Sequence, residues 1–424
     1  MKPPREVTGP HALSARQGLA YGLLGLPLAF VALPLYVILP NHYAREFGVP
    51  LATLGALLLA ARLLDAFIDP LIGRWCDRLF ARSLHAVLVF GALAALLLAA
   101  GFALLFFPLT REPTPLLLWA GAVLVVTYAA YSALSVAHQS WGAMLGGDEN
   151  QRSRVVAWRE GLGLVGVVLA SITPLVFGLG ATVALFCGAL ALGWLAWTRA
   201  LQPVVSHKQD TRPGDIWLPF RRPAFRHLLL VFMLNGIASA IPATLVLFFV
   251  QDRLQAARSM ESVFLATYFV CAALSIPVWL RVVSRNGLAR SWLLGMGLAV
   301  VSFVGATQLG AGDSAAFLAV CAMSGLALGA DLALPGAMLA GVIYQAGDRG
   351  HSEGAYFGWW NFATKLNLAL SAGLALPLLG LFGYVPGTRD TQALMALTMA
   401  YCLLPCLLKL GAGALLYRWI IHAP

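Results

Sequence analysis

The sequence predicts an all-α polytopic membrane protein with twelve transmembrane helices in two six-helix halves. Three observations carry this. Of the 424 residues, 60% are hydrophobic and 11% charged, with a mean hydropathy of +0.81; soluble domains hold roughly 45–50% apolar and about 25% charged residues. Apolar runs recur from end to end, each near the ~20 residues a helix needs to cross a bilayer. The basic residues alternate by loop. Twenty of the 28 Lys and Arg lie at the termini, in the even-to-odd loops and in the central loop. Five (Arg45, Arg111, Arg253, Arg258, Arg389) lie in the opposite loops, and three (Arg62, Lys365, Lys409) lie within spans. This bias places the basic side and both termini in the cytoplasm of a bacterial-type inner (plasma) membrane. The net charge of +10 is thus topology, and no nucleic-acid partner is expected.

The spans read, in order, 17–40, 51–74, 85–107, 116–141, 156–179, 181–201, 225–250, 262–283, 288–309, 315–345, 355–382 and 393–419. The N-terminal MKPPREVTGPHALSARQ holds no apolar stretch before a small-residue cleavage site, so span one is expected to serve as the insertion signal. Span two carries Arg62, Asp65, Asp69 and Pro70, and runs into Gly73, Asp77, Arg78 and Arg82. Span four carries Ser135 and His138 near its inner end, and span five is entered through QRSRVVAWRE (151–160). The longest polar segment, QPVVSHKQDTRPGDIWLPFRRP (202–223), separates spans six and seven. It divides the chain into a half at 1–201, a linker at 202–224 and a half at 225–424. Span seven carries Asn235, span ten Asp331, span eleven Asn361 and Lys365, and span twelve Lys409. The six cysteines are scattered; Cys402 and Cys406 share a face but match no metal-ligand pattern.

Charges within spans cost at least ~2.5–3.5 kcal/mol each on insertion scales, so each requires a reason. Arg62, Asp65 and Asp69 are spaced i, i+3, i+7 and share one helix face. Two carboxylates on adjacent turns can converge on one small cation, a metal such as Na⁺, or their repulsion and burial can make one of them bind a proton. The structural alternative is an Arg62–Asp65 ion pair. Pro70 removes one helix hydrogen-bond donor beside Asp69.

Lys365 lies about ten residues into span eleven, roughly 15 Å along the helix, so it is expected to face a cavity or an acid, with Asp331 the candidate partner. Asn361 lies one turn before it. Lys409 is read as snorkelling toward the interface. Arg159 is the deepest base of its run and reaches toward the cavity. His138 is either a packed neutral histidine or a polar contact to substrate or proton. The Gly73-xxx-Asp77-Arg78-xxx-Arg82 spacing reads as a charged cytoplasmic gate, the glycine permitting close helix approach.

Two six-helix halves with a basic linker is the layout of the major facilitator superfamily, in which substrate sits near the midplane between the halves. ARLLDAFIDPLIGRWCDR (61–78) resembles the helix-two motif of the glycoside–pentoside–hexuronide:cation symporters, the melibiose permease family. SVAHQSWGAMLGGDENQRSRVVAWRE (135–160), LNGIASAIPATLVLFFV (234–250), LALPGAMLAGVI (332–343) and EGAYFGWWNFATKLNLALSAGLALPLLGLFGY (353–384) are similar to later segments of that family. The resemblance implies Na⁺- or H⁺-coupled symport by alternating access. It implies cation binding by Asp65 and Asp69 with Ser135 nearby, and functional roles for Lys365 and Arg159.

The chain departs from the family at the sugar site. Leu28 and Ala29 stand near the place of a helix-one acid, Ser135 near that of a helix-four acid, and Ala340-Gly341-Val342-Ile343-Tyr344 where an acidic motif is common. Sugar hydroxyls need paired polar groups, so these losses touch the sugar assignment and leave the cation assignment intact. Trp141, Trp359 and Trp360 can stack on a sugar or anchor helix ends.

The sequence therefore predicts a monomeric symporter of a small organic solute, by default a sugar or glycoside. His138, Arg159, Asn235, Asn361 and Lys365 form its expected substrate site, Arg62 and Asp331 a charge network. The alternatives are an amphiphile such as a lysolipid, a proton-coupled exporter and, last, a non-transporting sensor. No Ser-His-Asp arrangement, zinc-ligand spacing or phosphate-cradling glycine loop occurs at a consistent depth, so neither an enzyme nor a cofactor is expected.

Overall fold

A computed structural model describes residues 13–203 and 215–422. The described residues are helical and include no strand. Ten helices are long and apolar enough to cross a membrane. Two more, Leu51–Arg82 of 32 residues and Glu353–Leu381 of 29, complete the expected twelve. In chain order they are α1 (Ala15–Glu46), α2 (Leu51–Arg82), α3 (Leu84–Phe106), α4 (Pro113–Leu145), α5 (Glu149–Pro174) and α6 (Val176–Thr198). The second six are α7 (Pro223–Arg253), α8 (Arg258–Asn286), α9 (Leu288–Ala306), α10 (Ser314–Gln345), α11 (Glu353–Leu381) and α12 (Thr391–Ile421). The N-terminal stretch through residue 12 and most of the expected linker lie outside the described residues.

Helices run past the apolar spans at the end of the bundle that carries the basic loops, here the basic end. α2 continues to Arg82, α4 to Leu145, and α5 begins at Glu149. Local capping explains these ends. Ser83 breaks α2 in extended backbone, and its Oγ accepts from the Ala86 amide of α3. Asp148 does the same for α5, its Oδ1 accepting from the Gln151 N–H at 2.8 Å. α5 and α6 form one helical stretch bent where Gly178 takes φ 77°, a conformation that a residue without Cβ adopts readily.

The halves meet along two seams, α2 against α11 and α5 against α8 and α10. The largest buried apolar cluster runs through both halves, from Trp141 and Trp197 to Trp292 and Tyr356. On the first seam the backbones touch. A Cβ on Gly73 would lie 2.0 Å from the Gly354 carbonyl oxygen, and one on Gly358 would lie 2.7 Å from that of Asp69. Any side chain there would push α2 and α11 apart.

Candidate functional site

Asp65 and Asp69 lie a turn apart on α2, 5% and 0% exposed, and both face α11. Between them sits the ammonium of Lys365. Its Nζ is 2.6 Å from Asp65 Oδ2 and 2.8 Å from Asp69 Oδ2, and it donates to Asp69 Oδ1 at 2.9 Å. It also donates to Ser132 Oγ of α4 at 2.8 Å, and that hydroxyl donates to Asp65 Oδ1 at 2.8 Å. Asp69 Oδ2 stays within ion-pair distance of the ammonium but receives no aligned hydrogen bond. Two carboxylates and one ammonium leave the cluster with one formal negative charge in excess. Uncompensated charge is costly at such burial.

Several expectations are corrected here. Lys365 pairs with the two α2 acids across the seam and not with Asp331. Ser132, not Ser135, completes the cluster; Ser135 sits one turn on, its Oγ 3.3 Å from the Gln139 side-chain amide. Arg62 makes no ion pair with Asp65: it is exposed, and its guanidinium lies 4.0 Å over the ring of Tyr36. The polar residues of α4, Ser132, Ser135 and Gln139, follow the i, i+3, i+7 spacing of the α2 charges. That stripe was the signal available for Ser132 and Gln139.

Arg159 and Asn361 are brought together through Gln139. With the Gln139 amide oriented to satisfy its neighbours, its oxygen accepts from Arg159 Nη2 at 2.9 Å and its nitrogen donates to Asn361 Oδ1 at 3.1 Å. Arg159 also pairs with Glu160 at 3.0 Å. Asn361 lies one turn from Lys365, so a continuous polar path runs from the acid pair to α5. A small cavity beside it is lined by Tyr21, Gln139, Arg152, Arg159 and Phe357.

His138 and Asn235 lie elsewhere. His138 is fully buried and stacked on Tyr21 at 4.3 Å; its Nε2 is 2.9 Å from the Tyr21 carbonyl, and the Tyr21 hydroxyl donates to the His138 carbonyl. It fastens α1 to α4. Asn235 belongs to a second charged cluster, within the second half. There Asp331 Oδ2 is 2.9 Å from Lys409 Nζ, which also donates to Asn235 Oδ1 at 2.7 Å. Asp331 accepts further from Asn235 Nδ2, Trp292 Nε1 and Ser239 Oγ. Lys409 is 3% exposed and does not snorkel. The tryptophans are also engaged: Trp141 donates to the Leu201 carbonyl, Trp359 to that of Ile216, and Trp360 stacks on Phe232.

The basic end is closed. Asp77, 2% exposed, accepts from the amides of Gly354 (2.6 Å) and Ala355 (2.9 Å) and so caps α11 from the other half. Arg78 and Arg82, expected to join the charged gate, are exposed and join no ion pair among the described residues; in this segment the contacts to the other half come from Asp77 and Gly73. Two partners were not read from the sequence. Glu149 Oε2 accepts from the Leu288 amide at 2.8 Å, capping α9 across the second seam, and Arg349 donates to the Met144 carbonyl at 2.7 Å.

The comparisons agree with this architecture. The family described as MFS/sugar transport protein matches residues 18–423. The chain is similar to the uncharacterized symporter YjmB of Bacillus subtilis, 21% identical over 93% of this chain and 90% of that protein. It is also similar to the inner membrane symporter YicJ of Escherichia coli, 26% identical over 38% and 35%. Among solved structures, a bacterial homologue of the iron transporter ferroportin in an outward-facing state superposes with a TM-score of 0.70 at 18% identity, covering 95% of this chain and all of that one. The Escherichia coli fucose:proton symporter FucP does so with 0.69 at 14%, covering 95% and 99%. These two show the major facilitator fold. With the family matched over nearly its whole length, the chain belongs to the MFS/sugar transport protein family and is a multi-pass membrane transporter, not an enzyme.

Proposed function

We propose that this transporter is a cation-coupled symporter, in which Asp65 and Asp69 take up the coupling cation and a sugar or glycoside is carried with it by alternating access. The observation that carries the reading is the excess of one carboxylate at a buried cluster that bridges the halves. A proton on either acid, or one Na⁺ among the carboxylate oxygens and Ser132 Oγ, would bring the cluster to neutrality. Either would also compete with Lys365 for the same oxygens. Cation arrival therefore loosens a bond between the halves, and cation loss lets the lysine restore it.

The polar path through Gln139, Arg159 and Asn361 offers amide and guanidinium groups to sugar hydroxyls, one turn from Lys365. Cation and solute sites thus share α11. Both seams lie within one chain, which supports a monomer. The two halves, 1–201 and 225–424, rock about the linker, and the closed basic end faces the cytoplasm of an inner membrane, as the Lys and Arg distribution indicates. Parting α2 from α11 there would break the Asp77 cap and the Gly73 contact.

The test is uptake in proteoliposomes. A panel of sugars and glycosides is offered with an imposed Na⁺ gradient in one arm and a proton gradient in the other. Accumulation in one arm, absent in Asp65→Asn, supports the reading and names the cation. Accumulation indifferent to both gradients, or unimpaired in both Asp65→Asn and Asp69→Asn, overturns it.

A further inference from the structure

The second half contains a cavity of about 200 Å³ that is separate from the Lys365 cluster. It lies between α7, α8 and α10 and reaches inward to α9 and α12. α10 lines it from Cys321 to Asp331, then lines the small cavity beside Arg159 through Gly336 and Ala340. α10 thus borders both cavities, with Asp331 and Gly336 roughly 7–8 Å apart in rise and about 140° apart around its axis.

The walls are mostly aromatic: Phe264, Tyr268, Phe269, Phe303 and Tyr401. The polar groups at its floor are already used. Asp331 accepts from four donors, Asn235, Trp292, Ser239 and Lys409. Ser324 donates to the Cys321 carbonyl. A sugar ring placed here would leave several hydroxyls without partners, so the cavity rejects it. Two hydroxyls are different. Among the described residues those of Tyr268 and Tyr401 have no hydrogen-bond partner, although Tyr401 is 4% exposed. A site lined by apolar rings with a few unengaged polar groups matches a ring carrying one polar substituent. The volume agrees: an apolar cavity of roughly 150 Å³ holds benzene, whereas a long acyl chain needs more room.

We infer that this cavity is a subsite for an aryl group with a polar substituent, so that the transported solute is an aryl-bearing polar molecule such as a phenolic glycoside. Its polar part sits at Gln139, Arg159 and Asn361, and its ring enters the second half. The assignment to a transported solute rests on the symport reading; the binding of an aromatic ring does not.

The experiment measures thermal stability of the purified full-length protein with phenol, toluene and hexan-1-ol. Phenol is expected to raise the melting temperature of the wild type more than hexan-1-ol does. Ala327→Leu fills the cavity and should weaken phenol binding about tenfold or more. Tyr401→Phe keeps the volume, and should weaken phenol while leaving toluene unchanged, which guards against a filled variant that fails to fold. Asp65→Asn should bind phenol as the wild type does while losing cation-driven uptake, which separates failure of the coupling reading from failure of this one. Equal stabilisation by hexan-1-ol and phenol, no stabilisation by phenol, or phenol binding unchanged in both cavity variants would overturn the inference.

Discussion

Two lysines within the apolar spans, Lys365 (19% exposed) and Lys409 (3%), sit in this molecule in opposite circumstances. Lys409 has one acid, Asp331, and the three other donors to that carboxylate (Asn235, Ser239 and Trp292) lie in the same half. Its charges cancel and its hydrogen bonds are complete. Lys365 has two acids and a serine, all supplied by the other half, and its cluster keeps a net negative charge. The first arrangement holds helices of one body together and gains nothing from a visitor. The second ties the two halves and, on the proposed coupling, is completed by one. A place within an apolar span, the feature legible in sequence, is common to both; stoichiometry and the half that supplies the partners distinguish them.

The largest effect is expected in the neutral cluster. Lys409→Ala would strand a buried Asp331, at a cost of about 3–5 kcal/mol; folded yield and melting temperature should collapse, and the pair replaced together by Leu and Met should recover most of the loss. A Lys409→Ala protein as stable as wild type would remove the structural role.

Asp69→Asn should do the reverse. One carboxylate remains for Lys365, so the fold should persist while cation-driven uptake falls to background. Lys365→Met sharpens this further: with two acids and no ammonium, thermal stability should become dependent on Na⁺ or on acid pH, whereas the wild type depends less on either. Stability insensitive to both would argue against cation binding at the pair.

The smallest effects belong to the gate. Asp77→Asn and Glu149→Gln each weaken one helix cap, worth about 0.5–2 kcal/mol. A cysteine placed beside Gly354 should become more reactive to a membrane-impermeant thiol reagent in either variant. Unchanged labelling in both would show that the caps do not hold the basic end shut.

The twelve-helix fold was legible because apolar length and basic-loop alternation are local properties. The α2 acids were legible for the same reason: their helical spacing puts them on one face whatever surrounds them. The partner of Lys365 was not, because 296 residues separate it from Asp69 and any buried acid satisfies the same demand. Asp331, midway through its span, meets that demand in the sequence as well as the α2 acids do. Lys409 was read as snorkelling because its side chain is long enough to do so; three-dimensional packing gave it a nearer acid. His138 could have faced solute or protein, and its ring stack with Tyr21 decided for protein. The sequence assigns Glu149 no role, since nothing in one sequence says that the start of α9 lies beside it.

The place of Lys365 has a consequence for binding strength. The ammonium is a competitor tethered to the protein, present beside the acids at a fixed effective concentration that no dilution lowers. On the proposed coupling an arriving ion must displace it, so the apparent cation affinity would measure a difference between two occupants and not the quality of the carboxylate cage. Moving the tether by a turn of α11, or replacing the ammonium by the broader guanidinium of Lys365→Arg, would reset the ion concentration at which the carrier works without altering a single ligand to the ion.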